Sequence, residues 1–107
     1  MKHFNDATTA FLRAIRVQFV DFAFVVEEIR SRSWASATFA GARHELTFRI
    51  EGEGAGAAAA GFIAHLEAAE FELRGHVMAD IALVCEERCD GEDMVRISLE
   101  ALTVEDG

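Results

Sequence analysis

The chain of 107 residues contains no proline, no tyrosine and only two cysteines, Cys85 and Cys89. Two cysteines cannot form the disulfide framework that stabilises many small secreted proteins. Their C-x-x-x-C spacing also differs from the redox motif C-x-x-C. The alternation of the surrounding residues predicts that Cys85 is a small core residue and that Cys89 is exposed.

Long hydrophobic runs are missing as well. The longest apolar region, residues 17–26, is interrupted by Gln18 and Asp21 and is far shorter than a membrane-spanning helix. The N-terminal residues lack the cationic segment and apolar stretch that mark a secretory signal. Together with the low cysteine content, these absences predict a cytoplasmic protein with no membrane partner.

Positive charge is scarce. Lys and Arg total 10 against 19 Asp and Glu, which gives a formal net charge of -9, and Lys2 is the single lysine. A field of this sign repels the phosphates of nucleic acids and the headgroups of anionic lipids. We therefore expect an acidic protein with no nucleic-acid partner.

The chain nevertheless has ample material for a folded core. Hydrophobic residues make up 51% of it, including nine Phe and one Trp. This composition and length predict a single α+β domain over residues 1–107, in which 1–51 and 62–107 are joined by a Gly/Ala-rich segment, 52–61. A core of this size is modest, and self-association is a common way to enlarge it.

Residues 6–32 carry two competing patterns. Alternation of apolar and polar residues predicts a strand over 14–20, and helical spacing from Asp21 onward predicts a helix after it. A rival interpretation is one continuous helix, because Ile15 and Phe19 also share a helical face. The sequence leaves both interpretations open.

The later elements follow clearer patterns. They predict a strand over 34–39, a turn over 40–43, a strand over 44–51 and a helix over 57–69. A β-hairpin completes the chain, since alternating runs over 76–85 and 95–101 flank an Asp90-Gly91 turn.

The preferred element order is therefore β-α-β-β-α-β-β. It predicts an α+β two-layer sandwich, with an antiparallel sheet and two helices on one face, that matches a ferredoxin-like βαββαβ unit plus a C-terminal strand. If residues 6–20 are helical instead, the order becomes a repeated αββ-αββ unit. Likeness to ferredoxin-like domains concerns the fold alone, since that fold hosts many functions.

The glycine-rich turn in the middle of the chain is the first candidate site. Gly52, Gly54 and Gly56 stand between a predicted strand and a predicted helix, where glycine-rich loops bind the phosphates of nucleotide cofactors. However, Glu51 and Glu53 place negative charge where a pyrophosphate needs positive potential. The simpler interpretation is a linker with a helix start, and we expect no cofactor.

Histidines and one aspartate form the second candidate site. None of the four histidines has H-x-x-x-H or H-E-x-x-H spacing, so we expect no metal site. His44, His76 and Asp80 lie on predicted strands and are the candidate acid–base residues if the protein is an enzyme. His76 and Asp80 lie roughly 13 Å apart at the rise of a strand, so catalysis would need further elements to converge.

Apolar surface is in surplus around Trp34 and the aromatic group Phe19, Phe22 and Phe24. Such a surplus indicates either core packing or a self-association surface. The leading hypothesis is a small cytoplasmic homodimer with a binding or structural role. The alternative is a small enzyme with a pocket at the subunit interface. No motif indicates a small-molecule ligand.

Overall fold

The computed structural model describes residues 3–66, 68–71, 73–89, 91 and 93–106, and residues 3–6 through their backbone alone. Along these residues each α-helix is followed by two strands. They are α1 (His3–Arg16), which continues into a 3-10 turn (Val17–Phe19), β1 (Ala23–Ala35), β2 (Ala40–Glu51), α2 (Ala55–Ala64), β3 (His76–Cys89) and β4 (Met94–Glu105). Strands of this length give the molecule an elongated shape of 48 × 25 × 21 Å.

The four strands form an antiparallel sheet in the order β1-β2-β4-β3. Side chains from α1 and α2 join one hydrophobic core with the same face of this sheet. The parallel strands β2 and β3 are separated by β4, so β2-α2-β3 is a split βαβ unit of the ferredoxin-like kind. The predicted α+β sandwich, with an antiparallel sheet and two helices on one face, is confirmed.

Of the two predicted element orders, the structure has αββ-αββ. Residues 14–20, predicted as a strand, lie mainly in α1 and the 3-10 turn, so that prediction was wrong. The set Phe11, Ile15 and Phe19 is buried, whereas Val17 is 57% exposed. Spacing of four residues, and not of two, therefore selects the core-facing side chains here.

The helix predicted from Asp21 onward is also wrong, because β1 occupies that region. A β-bulge explains the misleading pattern. Val26 and Glu28 pair with consecutive residues of β2, which leaves Glu27 as an extra residue. Beyond the bulge the alternation changes phase, and Ile29 returns to the core three residues after Val26. A bulged strand thus imitates the spacing of a helix.

The first hairpin turns earlier than predicted. β2 begins at Ala40, where a turn was expected, and the actual turn spans residues 36–39. The N–H of Ser36 donates to the carbonyl of Phe39 at 2.7 Å, and the N–H of Phe39 donates to the Ser36 hydroxyl at 3.0 Å. The Ser36 side chain stabilises this turn. Because the turn contains neither glycine nor proline, the residues that most often mark turns in a sequence did not indicate it.

The second helix and the second hairpin lie close to their predicted positions. Helix α2 begins at Ala55 and ends at Ala64, shorter than the predicted 57–69. The C-terminal hairpin of β3 and β4 is present as predicted. Gly91 in its turn has φ 69°, a left-handed conformation that suits glycine, while Asp90 lies outside the described residues.

The core lies between the helices and the two central strands. Its largest fully buried apolar side chains are Phe11, Phe19, Phe48, Ile15, Leu46, Ile50, Ile97, Leu99 and Val95. The ring of Phe48 stacks on Phe24 with centroids 4.8 Å apart and lies 5.6 Å from Phe19. Phe22 is half-buried against the same core. The predicted aromatic group therefore serves core packing, the first of its two interpretations.

The opposite face of the sheet carries charge. Arg49 of β2 and Arg96 of β4 are directly paired across the strands, and like charges in that position repel. The carboxylate of Glu27 accepts hydrogen bonds from both, and Arg96 also binds Glu87 of β3 at 2.9 Å. The hydrogen bond from Arg96 is the main reason why the pKa of Glu27 lies below its ordinary value. The bulge thus directs one acid onto two facing arginines.

We expect Glu27→Gln to lower the thermal midpoint by a few degrees, because it removes the carboxylate that Arg49 and Arg96 share and leaves each arginine with a single acidic partner, Glu51 or Glu87. The loss should shrink in high salt. Because the folded-state pKa of Glu27 is lowered, its contribution exists above the ordinary value of 4.5 and disappears as the pH falls through the folded-state value. Thermal denaturation at two salt concentrations and across acidic pH measures both effects.

Glu28→Gln is the matched control for this prediction. Glu28 is the next residue on β1 and pairs with Arg30, with 51% of its side chain exposed. Its removal does not leave two arginines face to face, so we expect a smaller change. Equal midpoints for the two variants would contradict a special role for Glu27.

Among the described residues, no helix combines the length and the apolar character that crossing a membrane requires.

Candidate binding cavity at the first hairpin

A buried histidine lies at the centre of a polar relay near the first hairpin. His44 is 0% exposed, with Nδ1 2.7 Å from the Ser31 hydroxyl and Nε2 3.0 Å from the Thr103 hydroxyl. Thr8 donates to Ser31 at 2.9 Å, and Thr103 donates to a backbone carbonyl of β2 at 3.3 Å. Thr103 therefore accepts from the Nε2–H, and in the neutral ring Nδ1 accepts from the Ser31 hydroxyl. This network pairs both ring nitrogens of a neutral His44.

The electrostatics of His44 agree with this network. Burial, with a smaller contribution from the neighbouring His76, lowers the pKa of His44 from 6.5 to about 4. Its ring also stacks on Phe11, with centroids 4.9 Å apart and planes inclined by 19°. These contacts favour a structural role. The predicted acid–base role of His44 stays a prediction.

A cavity of about 350 Å³ lies beside this relay, between the first hairpin, α1 and the first residue of β3. Its walls include the small side chains Ala7, Ala35, Ala40 and Ala42, together with Ser33, Trp34, Gly41, His76 and Glu105. Two side-chain atoms of these residues, Trp34 Nε1 and His76 Nε2, are buried and have no hydrogen-bond partner in the part of the chain that the structure describes. Such atoms are rare in folded proteins and call for an explanation.

Each unpaired atom has a defined hydrogen-bonding character. The Nδ1 of His76 lies 3.0 Å from the carbonyl oxygen of Arg74, which can only accept, so Nδ1 carries the proton. In the neutral ring, Nε2 is consequently an acceptor. The indole Nε1–H of Trp34 is a donor only. The two residues therefore bring one donor and one acceptor next to the cavity, and both atoms have almost no accessible surface in this structure.

Gly41 allows the Trp34 ring to lie in this wall. A Cβ atom at position 41 would stand 2.0 Å from the carbonyl oxygen of Thr103 and 3.0 Å from the Trp34 ring. The first distance is shorter than real carbon contacts permit and the second is tighter than most of them, so no side chain fits there. The sequence indicated Trp34 only as apolar surface, and no local pattern indicated Gly41 or its convergence with His76.

A second, wider depression of about 1140 Å³ runs between α1, the segment before β3 and β3 itself. His76 and Asp80 both line it, as do Arg13 and Arg74. The structure thus brings two of the three predicted acid–base residues to one groove, while His44 remains in the core. The predicted catalytic role of His76 and Asp80 stays a prediction.

The glycine-rich turn forms a tight connection between β2 and α2. Gly54 adopts a left-handed conformation with φ 86° just before α2, and no side chain caps the helix. The N–H of Gly52 donates to the carbonyl of Asp93 at 2.9 Å, and Gly56 is buried in α2. The antiparallel partners of β2 differ from the parallel strands of dinucleotide-binding folds. The cofactor role of these glycines stays a prediction.

The two cysteines both lie on β3. Cys85 is exposed and Cys89 is partly buried, which reverses the prediction, because the bulge between Leu83 and Cys85 changes which residues of β3 face the core. Both thiols are free. Within the part of the chain that the structure describes, no three His, Cys, Asp or Glu side chains are grouped as metal ligands.

The fold and cavity define a small two-layer α+β protein with an antiparallel sheet. No protein-family model matches the chain, and no curated protein matches its sequence. A solved structure does resemble it: a chain from the virion of a native gene transfer agent (GTA) particle, with a TM-score of 0.61 and 18% sequence identity. The match covers 94% of this chain and 98% of that one. At this identity, the likeness shows a shared fold.

Proposed function

We propose that this protein is a structural subunit of a multi-subunit particle of the gene-transfer-agent kind, and that it associates with a second copy of itself through β3. The observation that carries the proposal is the fold match to a virion chain over nearly the full length of both chains. We also propose that the protein is cytoplasmic, as its sequence predicts.

The sheet edge supports an assembly role. β1 and β3 are the two edge strands, with 13 and 14 residues, about twice the usual length of a strand. Edge strands present unpaired backbone N–H and C=O groups on which another chain can add a strand. Two such long edges give the molecule sites for association that do not require a concave pocket.

Each edge strand carries four charged side chains, but the two strands distribute them differently, and the difference favours β3. In β1 they lie in the middle of the strand, at Glu27, Glu28, Arg30 and Arg32, and charges in that position protect an edge against pairing. Residues 77–85 of β3 contain one charged side chain, Asp80. They expose three large apolar residues, with Val77 52%, Leu83 37% and Val84 56% accessible. This segment is the least protected edge of a chain whose net charge otherwise opposes self-association.

Particle association is the experiment that tests the proposal. In cells that produce the protein, a density gradient of the lysate should place the wild-type chain in fractions of high-molecular-mass particles. Recovery of all the protein at the mass of a free chain or a small oligomer would overturn the proposed function.

Val84→Lys tests the proposed surface. Val84 is the extra residue of a bulge on β3, and a lysine there puts a charge on the edge without disturbing the core. We expect self-association, measured by sedimentation or native mass spectrometry over a concentration series, to weaken at least tenfold. Val17→Lys is the matched control, since Val17 is 57% exposed but lies after α1. Equal weakening by both variants would contradict a role for β3.

A further inference from the structure

We propose that the cavity at the first hairpin binds an uncharged carboxamide or peptide group, with Trp34 donating to its carbonyl oxygen and His76 accepting from its N–H. The proposal rests on the cavity and its two unpaired atoms. It is independent of particle assembly and of β3.

The first argument concerns the hydrogen bonds that Trp34 and His76 do not form. Trp34 Nε1 can only donate, and His76 Nε2 can only accept while Nδ1 donates to the carbonyl of Arg74. His76 is 8% exposed, so its unpaired nitrogen is withheld from solvent. A buried polar atom without a partner destabilises the folded state, and a group that pairs with both atoms removes that penalty. An amide carries the required acceptor and donor on neighbouring atoms.

The second argument is the size and charge of the cavity. A volume of about 350 Å³ lies within the range of small-molecule sites, and the four alanines in its walls leave room for a short apolar group beside the amide. Glu105 also lines the cavity, and the net charge of -9 on the chain disfavours anions such as carboxylates and phosphates. An uncharged ligand with an amide therefore fits better than an acid of the same size.

Access depends on the indole ring. Both unpaired atoms have almost no accessible surface, whereas Trp34 as a whole is only half-buried. A ligand in the cavity can pair with both atoms only after the ring shifts, and that shift changes the surroundings of the indole. Because the chain has one Trp and no Tyr, its intrinsic emission reports on Trp34 alone.

The test is a titration of the purified protein with N-methylacetamide, a mimic of the peptide group, and with acetamide, a mimic of an Asn or Gln side chain. Trp34 emission and the indole N–H signal in NMR spectra are followed. We expect a saturable change with at least one of them, and the stronger binder identifies the main-chain or the side-chain source. N,N-dimethylacetamide, which lacks the N–H, should bind at least tenfold more weakly.

His76→Phe removes the acceptor and should weaken N-methylacetamide binding at least tenfold. His65→Phe is its matched control, because His65 is exposed on the surface just after α2. Equal responses to the amides with and without an N–H, or responses that rise linearly without saturation, would overturn the proposal. That comparison uses the wild-type protein, so it stands even if His76→Phe does not fold.

Discussion

Phe48→Ala is expected to lower the free energy of unfolding by about 3–5 kcal/mol, as is typical for removing a buried phenylalanine ring. Phe48 is 0% exposed on the central strand β2. Its ring stacks on Phe24 and contacts Phe19, so the truncation leaves a cavity that three elements border. Chemical denaturation monitored by circular dichroism measures the loss. A domain of this size has a small margin of stability, and the variant is expected to be partly unfolded at 37 °C.

Phe39→Ala is the control that separates burial from residue type. Phe39 lies in the turn between β1 and β2 with 58% of its surface exposed. Its truncation removes the same atoms without opening a cavity, and we expect a change within about 0.5 kcal/mol. Similar losses for the two variants would mean that the assigned core is wrong.

Acidification is expected to destabilise the fold through His44. The unfolded chain binds a proton at this residue as the pH falls below 6.5, whereas the folded state resists protonation until the pH reaches about 4. The stability due to neutral His44 is therefore complete above pH 6.5 and is lost between pH 6.5 and 4. The shift corresponds to a loss of about 3 kcal/mol over that interval. Denaturation midpoints at half-unit steps of pH measure it.

His44→Gln should abolish most of this pH dependence, because glutamine does not titrate. The variant will also be less stable at neutral pH, since Gln cannot reproduce both hydrogen bonds to Ser31 and Thr103 and the stacking on Phe11. His65→Gln, at an exposed site, should keep the wild-type profile. A pH profile that His44→Gln leaves unchanged would show that another group causes the acid sensitivity.

His44 also shows how much of the candidate sites could be predicted from the sequence. His44, His76 and Asp80 were indicated by their positions on predicted strands, and the structure places all three on strands. Whether a histidine is buried and paired or lines a cavity depends on partners distant in sequence. Thr103, for example, lies 59 residues from His44. Local patterns carry no information about such pairings.

The sequence by itself determined the features that depend on local periodicity over a long run. The alternation around Leu46, Phe48 and Ile50 defined β2, and two alternating runs around a glycine turn defined the hairpin of β3 and β4. Together with one helix between them, these elements were sufficient for the α+β class. Composition alone determined the strong negative charge.

The secondary structure of the region before residue 36, and the presence of the cavity, were decided only by the tertiary structure. A period of two and a period of 3.6 overlap within a few residues, so burial against β2 and β4 had to select the helical face of α1. The bulge at Glu27 is visible only through its pairing with β2. Trp34 and His76 lie 42 positions apart, and they meet because the first hairpin and the start of β3 reach the same end of the sheet. Contacts of that range arise from chain packing, which one sequence does not display.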